Sequence, residues 1–208
     1  MLENHERPEI IESYADASND AIHRHFMPGV RQQSDAGGEA ERMGAAGERL
    51  RQLDGLKEEN WRELDSHGRI AVMNDVGREV GRIYDQPTPP LYAEQLPVEQ
   101  RGDYVDEDYR IRMNSEGISP GDGFLSDDPR VALETYLHEF RHSYQYEQML
   151  RWDGPFRHLV DEGAEADNWS SNFKNYNSPE NGFNEYYNQS VEADARAFSE
   201  ELVKKVYG

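Results

Sequence analysis

The chain has 208 residues, 42 of them acidic and 22 basic, no cysteine, and a formal net charge of −20. Without cysteine there are no disulfides, no thiolate nucleophile and no cysteine-bound zinc, so a metal would have to be held by His, Asp or Glu. The acidic balance argues against nucleic acid and anionic membranes as partners, and no apolar run approaches the ~20 residues needed to span a bilayer.

Residues 1–66 are polar, and Gly37-Gly38, Gly44 and Gly47 interrupt a stretch of Ala, Glu and Arg. Few positions there suit a core, so a helical or partly disordered extension is expected, followed by a folded domain over 67–208. Met1-Leu2-Glu3-Asn4-His5-Glu6 lacks the basic and apolar regions of a signal peptide. The cytoplasm is therefore the expected compartment, with export by a route that needs no cleavable signal left open.

From residue 67 the pattern changes. Ile70, Met73, Val76, Val80 and Ile83 recur at three and four residues, which is one face of a helix. Pro87, Pro89 and Pro90 end it. Leu91-Tyr92-Ala93 and Tyr104-Val105 follow as short extended runs. Then Tyr109, Ile111 and Met113 alternate with Arg110 and Arg112, the period of a half-exposed strand. Residues 115–128 are rich in Gly, Ser, Pro and Asp and read as a loop.

Asp127-Asp128-Pro129 opens a long helix to about Arg151, ahead of Gly154-Pro155. A polar connection with Asn168, Asn172, Asn175, Asn177 and Pro179 leads to a last helix over about Ser190–Val206. Val191, Ala195, Phe198, Leu202 and Val206 form its apolar stripe. Helix, short strands, long helix, linker and helix make a small α+β arrangement.

The long helix carries His138-Glu139-Phe140-Arg141-His142. Histidines four apart project from one face of a helix, one turn from each other, where both can reach one cation. Glu139 points to a neighbouring part of that face and can act as a general base without being a ligand. Chance yields such a motif in roughly 3% of chains of this composition, so its helical setting matters.

A catalytic zinc site also needs a third protein ligand. A histidine at 148 would continue one such motif, but Gln148 stands there. Glu192 lies at the edge of the apolar stripe of the last helix, and Ala195, one turn on, leaves room for a packed partner. It is the expected third ligand.

With its downstream Glu192-x-x-Ala195-x-x-Phe198, the motif resembles the compact gluzincins, among them the ImmA/IrrE-like metallopeptidases. The run His-Glu-x-Arg-His-x-x-Gln, His138 to Gln145, resembles metallopeptidase-like domains of bacterial and phage toxins or effectors. The resemblance spans about residues 70–206, and the gap from His142 to Glu192 is longer than in ImmA/IrrE-like proteins. It implies a zincin-like fold, with the motif helix on a short mixed sheet and a C-terminal ligand helix. It also implies Zn2+ held by His138, His142 and Glu192, with Glu139 as the base. The implied activity is hydrolysis of a peptide bond in a protein or peptide substrate, in an effector or a regulatory protease. The alternative is a non-catalytic, zinc-stabilised binding module.

Tyr186 and Tyr187 are the expected oxyanion donors, with Tyr176 and His158 behind them. Asp194 and Glu185 are candidates to orient a histidine, Asp194 being equally suited to pair with Arg141 or Arg196. Arg141 is expected in a structural ion pair, and Gln145 either lines the site or holds Glu192. The strand Tyr109–Asn114 is expected at a sheet edge beside the motif helix. There an extended substrate would add, or Arg110 and Arg112 would simply blunt the edge.

Overall fold

The computed structural model describes residues 38–97, 100–115, 128–161 and 164–208. Among them are seven α-helices and a three-stranded mixed sheet, an α+β fold. Helix α1 (Glu39–Arg51) has Glu39 and Glu41 in its first turn and Arg49 and Arg51 in its last, the polarity that suits a helix dipole. Its face Met43, Ala46, Gly47 and Leu50 is buried. A 3-10 turn (Asp54–Leu56) and helix α2 (Glu58–Glu63) follow, burying Leu56 and Trp61.

This overturns the expectation that residues up to 66 add little to a core. Ala46, Leu50 and Trp61 have no solvent exposure, and Gly37–Gly208 forms one unit. Their apolar residues are sparse but fall on one helical face, and that spacing, not their number, decides burial. The part of the expectation that concerns residues 1–37 lies outside the described residues.

Helix α3 (Ser66–Ile83) is capped by Asp65, whose carboxylate accepts from the Gly68 amide at 2.8 Å. Gly77 lets α3 approach the motif helix, since a Cβ there would collide with the Tyr136 hydroxyl and Thr88. Strands β1 (Leu91–Glu94), β2 (Gly102–Val105) and β3 (Arg110–Asn114) form the sheet in the order β1-β3-β2. β1 runs parallel to β3, with Leu91 opposite Ile111. β2 runs antiparallel to it, with Gly102 opposite Met113.

The expected alternation in β3 is present. Ile111 and Met113 are fully buried, and Arg112 pairs with Asp103 and Glu94 from the flanking strands. The expected position is not. β3 is the central strand, because both neighbours supply acids that pair with its arginines, and the edge that packs on the motif helix is β2. Tyr109 belongs to the preceding turn, with φ of 50°. Of the expected loop 115–128, residues 116–127 lie outside the described residues.

Helix α4 (Pro129–Asp153) begins as expected, with Pro129 in the first turn and Asp128 accepting from the Arg130 amide. It is buried on most of its surface, so it runs through the core of the unit Gly37–Gly208. The connection after it is more ordered than a linker. Helix α5 (Ala166–Lys174) buries Trp169 in the core, and a short helix α6 (Phe183–Asn188) leads into α7 (Ser190–Tyr207). Its asparagines explain its polarity. Asn172 Oδ1 accepts from the Val191 amide at 3.0 Å, and Gln189 exchanges hydrogen bonds with the Asn177 backbone, fixing the start of α7. Among the described residues no helix is long and apolar enough to cross a membrane.

Candidate metal centre

Helices α4 and α7 pack along each other, and their contact brings His138, His142 and Glu192 together. His138 Nε2 lies 3.1 Å from His142 Nε2 and 3.2 Å from Glu192 Oε2, and His142 Nε2 lies 3.4 Å from Glu192 Oε1. Ligands at ~2.0–2.1 Å from a tetrahedral zinc would be about 3.3 Å apart, and each of these separations is of that size, with the two histidines facing different oxygens of Glu192. The donor set, two imidazoles and a carboxylate, also suits zinc. It is the one group of three or more His, Cys, Asp or Glu side chains with this arrangement among the described residues.

The tautomer of His142 follows from its neighbours. Gln145 Nε2 donates to the Val191 carbonyl at 2.9 Å and to Asp194 at 2.6 Å, which turns Gln145 Oε1 toward His142 Nδ1 at 2.9 Å. Nδ1 therefore carries the proton, and Nε2 faces Glu192 and His138. Asp194 is itself gripped by Arg141, through Nε at 2.8 Å and Nη2 at 3.1 Å. The Arg141 guanidinium lies 4.7, 4.9 and 5.5 Å from the Tyr144, Phe198 and Trp169 ring centres and also pairs with Glu39 of α1. Arg141 is thus the structural ion-pair residue expected, and Asp194 orients the histidine through Gln145 instead of directly. Gln145 holds His142, not the Glu192 carboxylate.

Burial opposes charge on His142, but the Glu192 hydrogen bond and the Glu192 and Glu139 charges outweigh it and push its pKa up to about 9. Burial likewise opposes ionisation of Glu192, yet hydrogen bonds and charge from both histidines hold it well below the usual carboxylate range. Glu192 is thus an anion that seeks a cation, and His142 supplies one when no metal does. The position of Glu192 in the first turn of α7 favours the same charge.

Glu139 sits beside this group with 8% of its surface exposed. Burial raises its pKa, the two histidines oppose this and Glu192 reinforces it. Strand β2 covers it closely. A Cβ on Gly102 would lie 3.3 Å from Glu139 Cγ, 3.1 Å from Thr135 and 3.0 Å from the Arg112 carbonyl. A side chain at 102 would press on all three, so glycine eases the close passage of the strand over Glu139.

The tyrosines are arranged differently from expectation. Tyr176, ranked behind the others by sequence, donates its hydroxyl to Glu192 Oε1 at 2.7 Å. Tyr186 stands beside it, with ring centres 6.2 Å apart, and lies near enough for the Glu192 and Glu139 charges to act on its hydroxyl. Burial first, then Glu192, raises both phenol pKa values, so both stay donors. Tyr187 does not reach the site. It stacks on Phe183, and Arg196 lies 3.5 Å from its ring centre. His158 is exposed on a 3-10 turn, Glu185 is exposed and folds back toward Gly182, and Gln148 accepts from the Asp161 amide. Gly102 carries no signal in the sequence that marks it for the site, and Tyr176 ranks behind Tyr186 and Tyr187 there because it lies in an irregular segment.

No protein-family model, curated protein or solved structure matches this chain. The functional reading therefore rests on the residues and their geometry.

Proposed function

We propose that the chain is a zinc-dependent peptidase of the glutamate-ligand, zincin-like type. The observation that carries this is the convergence of His138, His142 and Glu192 from two helices, with the buried carboxylate of Glu139 next to them. His138, His142 and Glu192 would hold Zn2+, which when bound acts as a Lewis acid on the attacking water and the substrate carbonyl.

The protein's own groups perform the rest. Glu139 takes a proton onto its carboxylate and returns it to the leaving amine, a task that suits a carboxylate whose pKa burial has raised. Tyr176 fixes Glu192, and Tyr186 is the donor for the developing oxyanion. β2, as the sheet edge packed on α4, takes the role expected of 109–114. An extended polypeptide adding to it runs past Glu139.

Glu139→Gln tests this against the non-catalytic zinc module. The variant should bind one equivalent of zinc and lose at least about a hundredfold in cleavage of a proteome-derived peptide mixture. Equal cleavage by both proteins would remove Glu139 as the base, and no cleavage by zinc-loaded wild type would favour the binding module.

A further inference from the structure

Five large apolar or aromatic side chains are conspicuously exposed among the described residues, and three of them form one row: Tyr176 at 42%, Phe183 at 63% and Tyr187 at 42%. The row is continuous ring to ring. Tyr176 meets Tyr186, Tyr186 meets Phe183 at 6.3 Å, and Phe183 stacks on Tyr187 at 5.7 Å with 29° between planes. One end is anchored in the site, through the Tyr176 hydroxyl on Glu192. The other end is stiffened by Arg196, which covers Tyr187 and donates to its carbonyl. Phe183 is the plate left most open.

Singly exposed aromatics are ordinary, but a contiguous, stiffened set beginning at a candidate catalytic group marks a binding surface. We propose that this row is a specificity shelf, on which the substrate lays a large apolar side chain, aromatic or long aliphatic, from a position close to the hydrolysed bond. The proposal rests on the peptidase reading above. The occupant is a polypeptide segment without net negative charge. The chain carries −20, Glu185 lies exposed on the helix that bears Phe183, and Glu180 lies exposed on the 3-10 turn (Pro179–Asn181) just before it. An aromatic or long aliphatic side chain gains offset stacking on the open face of Phe183 and covers its apolar surface. Acidic segments are repelled before they dock.

The experiment uses the full chain loaded with zinc and a peptide library made by digesting a proteome. Wild type reports cut sites, and Glu139→Gln reports captured peptides without turnover. Phe, Tyr, Trp, Leu and Met should be enriched within about three residues of the cuts and in the captured set. Phe183→Ala should raise KM about tenfold for such peptides with kcat and zinc content kept, as expected for losing one aromatic contact. Phe183→Tyr should restore most of the loss. Cut sites without apolar enrichment, or Phe183→Ala kinetics equal to wild type, would overturn the shelf. Enriched capture with no cleavage by wild type would keep the shelf and overturn the peptidase reading. Neither cleavage nor capture would overturn both.

Discussion

His142 shows how a single residue is set for its role. Its Nδ1 proton is held by Gln145, Gln145 by Asp194 and the Val191 carbonyl, and Asp194 by Arg141. The chain of donors leaves Nε2 turned toward His138 and Glu192. Replacing Gln145 with Met keeps the volume and removes the acceptor. Zinc affinity of Gln145→Met should fall about 10- to 100-fold, the usual cost of losing such support. Competition with a chromophoric chelator measures this, and circular dichroism should show the fold retained. An unchanged Kd would show that Gln145 merely fills space. The i, i+4 histidines were legible because both sit on one helix, and Glu192 because it lies at the edge of an apolar stripe beside the small Ala195. Tyr176 was ranked low because it comes from an irregular segment whose path the sequence does not specify.

At the scale of elements, strand period was legible and strand order was not. The alternation in 109–114 gives which side chains are buried, but sheet position depends on pairing with β1 and β2, which no local pattern encodes. The same holds for the connection 155–189. Its asparagines read as loop, whereas Asn172 and Asn177 serve the N-terminus of α7. The contact of β2 with α4 is where element packing meets chemistry. Gly102→Val should force β2 away from Thr135 and Glu139, lowering kcat about tenfold or more through misplacement of the base. Zinc stoichiometry should stay at one, because His138, His142 and Glu192 lie on α4 and α7. Steady-state kinetics with metal analysis checks both. Wild-type kcat in Gly102→Val would show that β2 does not position Glu139.

For the molecule as a whole, stability depends on a buried acid outside the candidate site. Glu147, 2% exposed, pairs with Arg151, yet its Oε2 has no hydrogen-bond partner among the described residues. Burial, outweighing Arg151 and reinforced by Asp161, pushes its pKa up to about 7 from an ordinary 4.5. An acid with a raised folded pKa holds more protons folded than unfolded between those values. Stability should therefore fall as pH rises from about 4.5 to 7, by at most about 3 kcal/mol. Glu147→Gln removes that slope, and His142 and Glu139 remain in both proteins, so the difference isolates Glu147. Chemical denaturation of the metal-free proteins at pH 5 and pH 8 should show the variant gaining on wild type at the higher pH. Parallel profiles would show that Glu147 does not titrate in this range.

The sequence by itself determined helices α3, α4 and α7, the alternation of β3 and the candidate ligands and base, because helical and strand periods project side chains to faces that can be counted along the chain. It also determined the charge, and with it the class of surface presented to partners. Tertiary structure alone decided the central place of β3, the core role of residues 39–64, the fit of Gly102 over Glu139 and the choice of Tyr176 over Tyr187 at Glu192. Each of these depends on contacts between segments far apart in the chain. Such contacts are fixed by how α4, α7 and the sheet fill one core together, not by the pattern of any one segment.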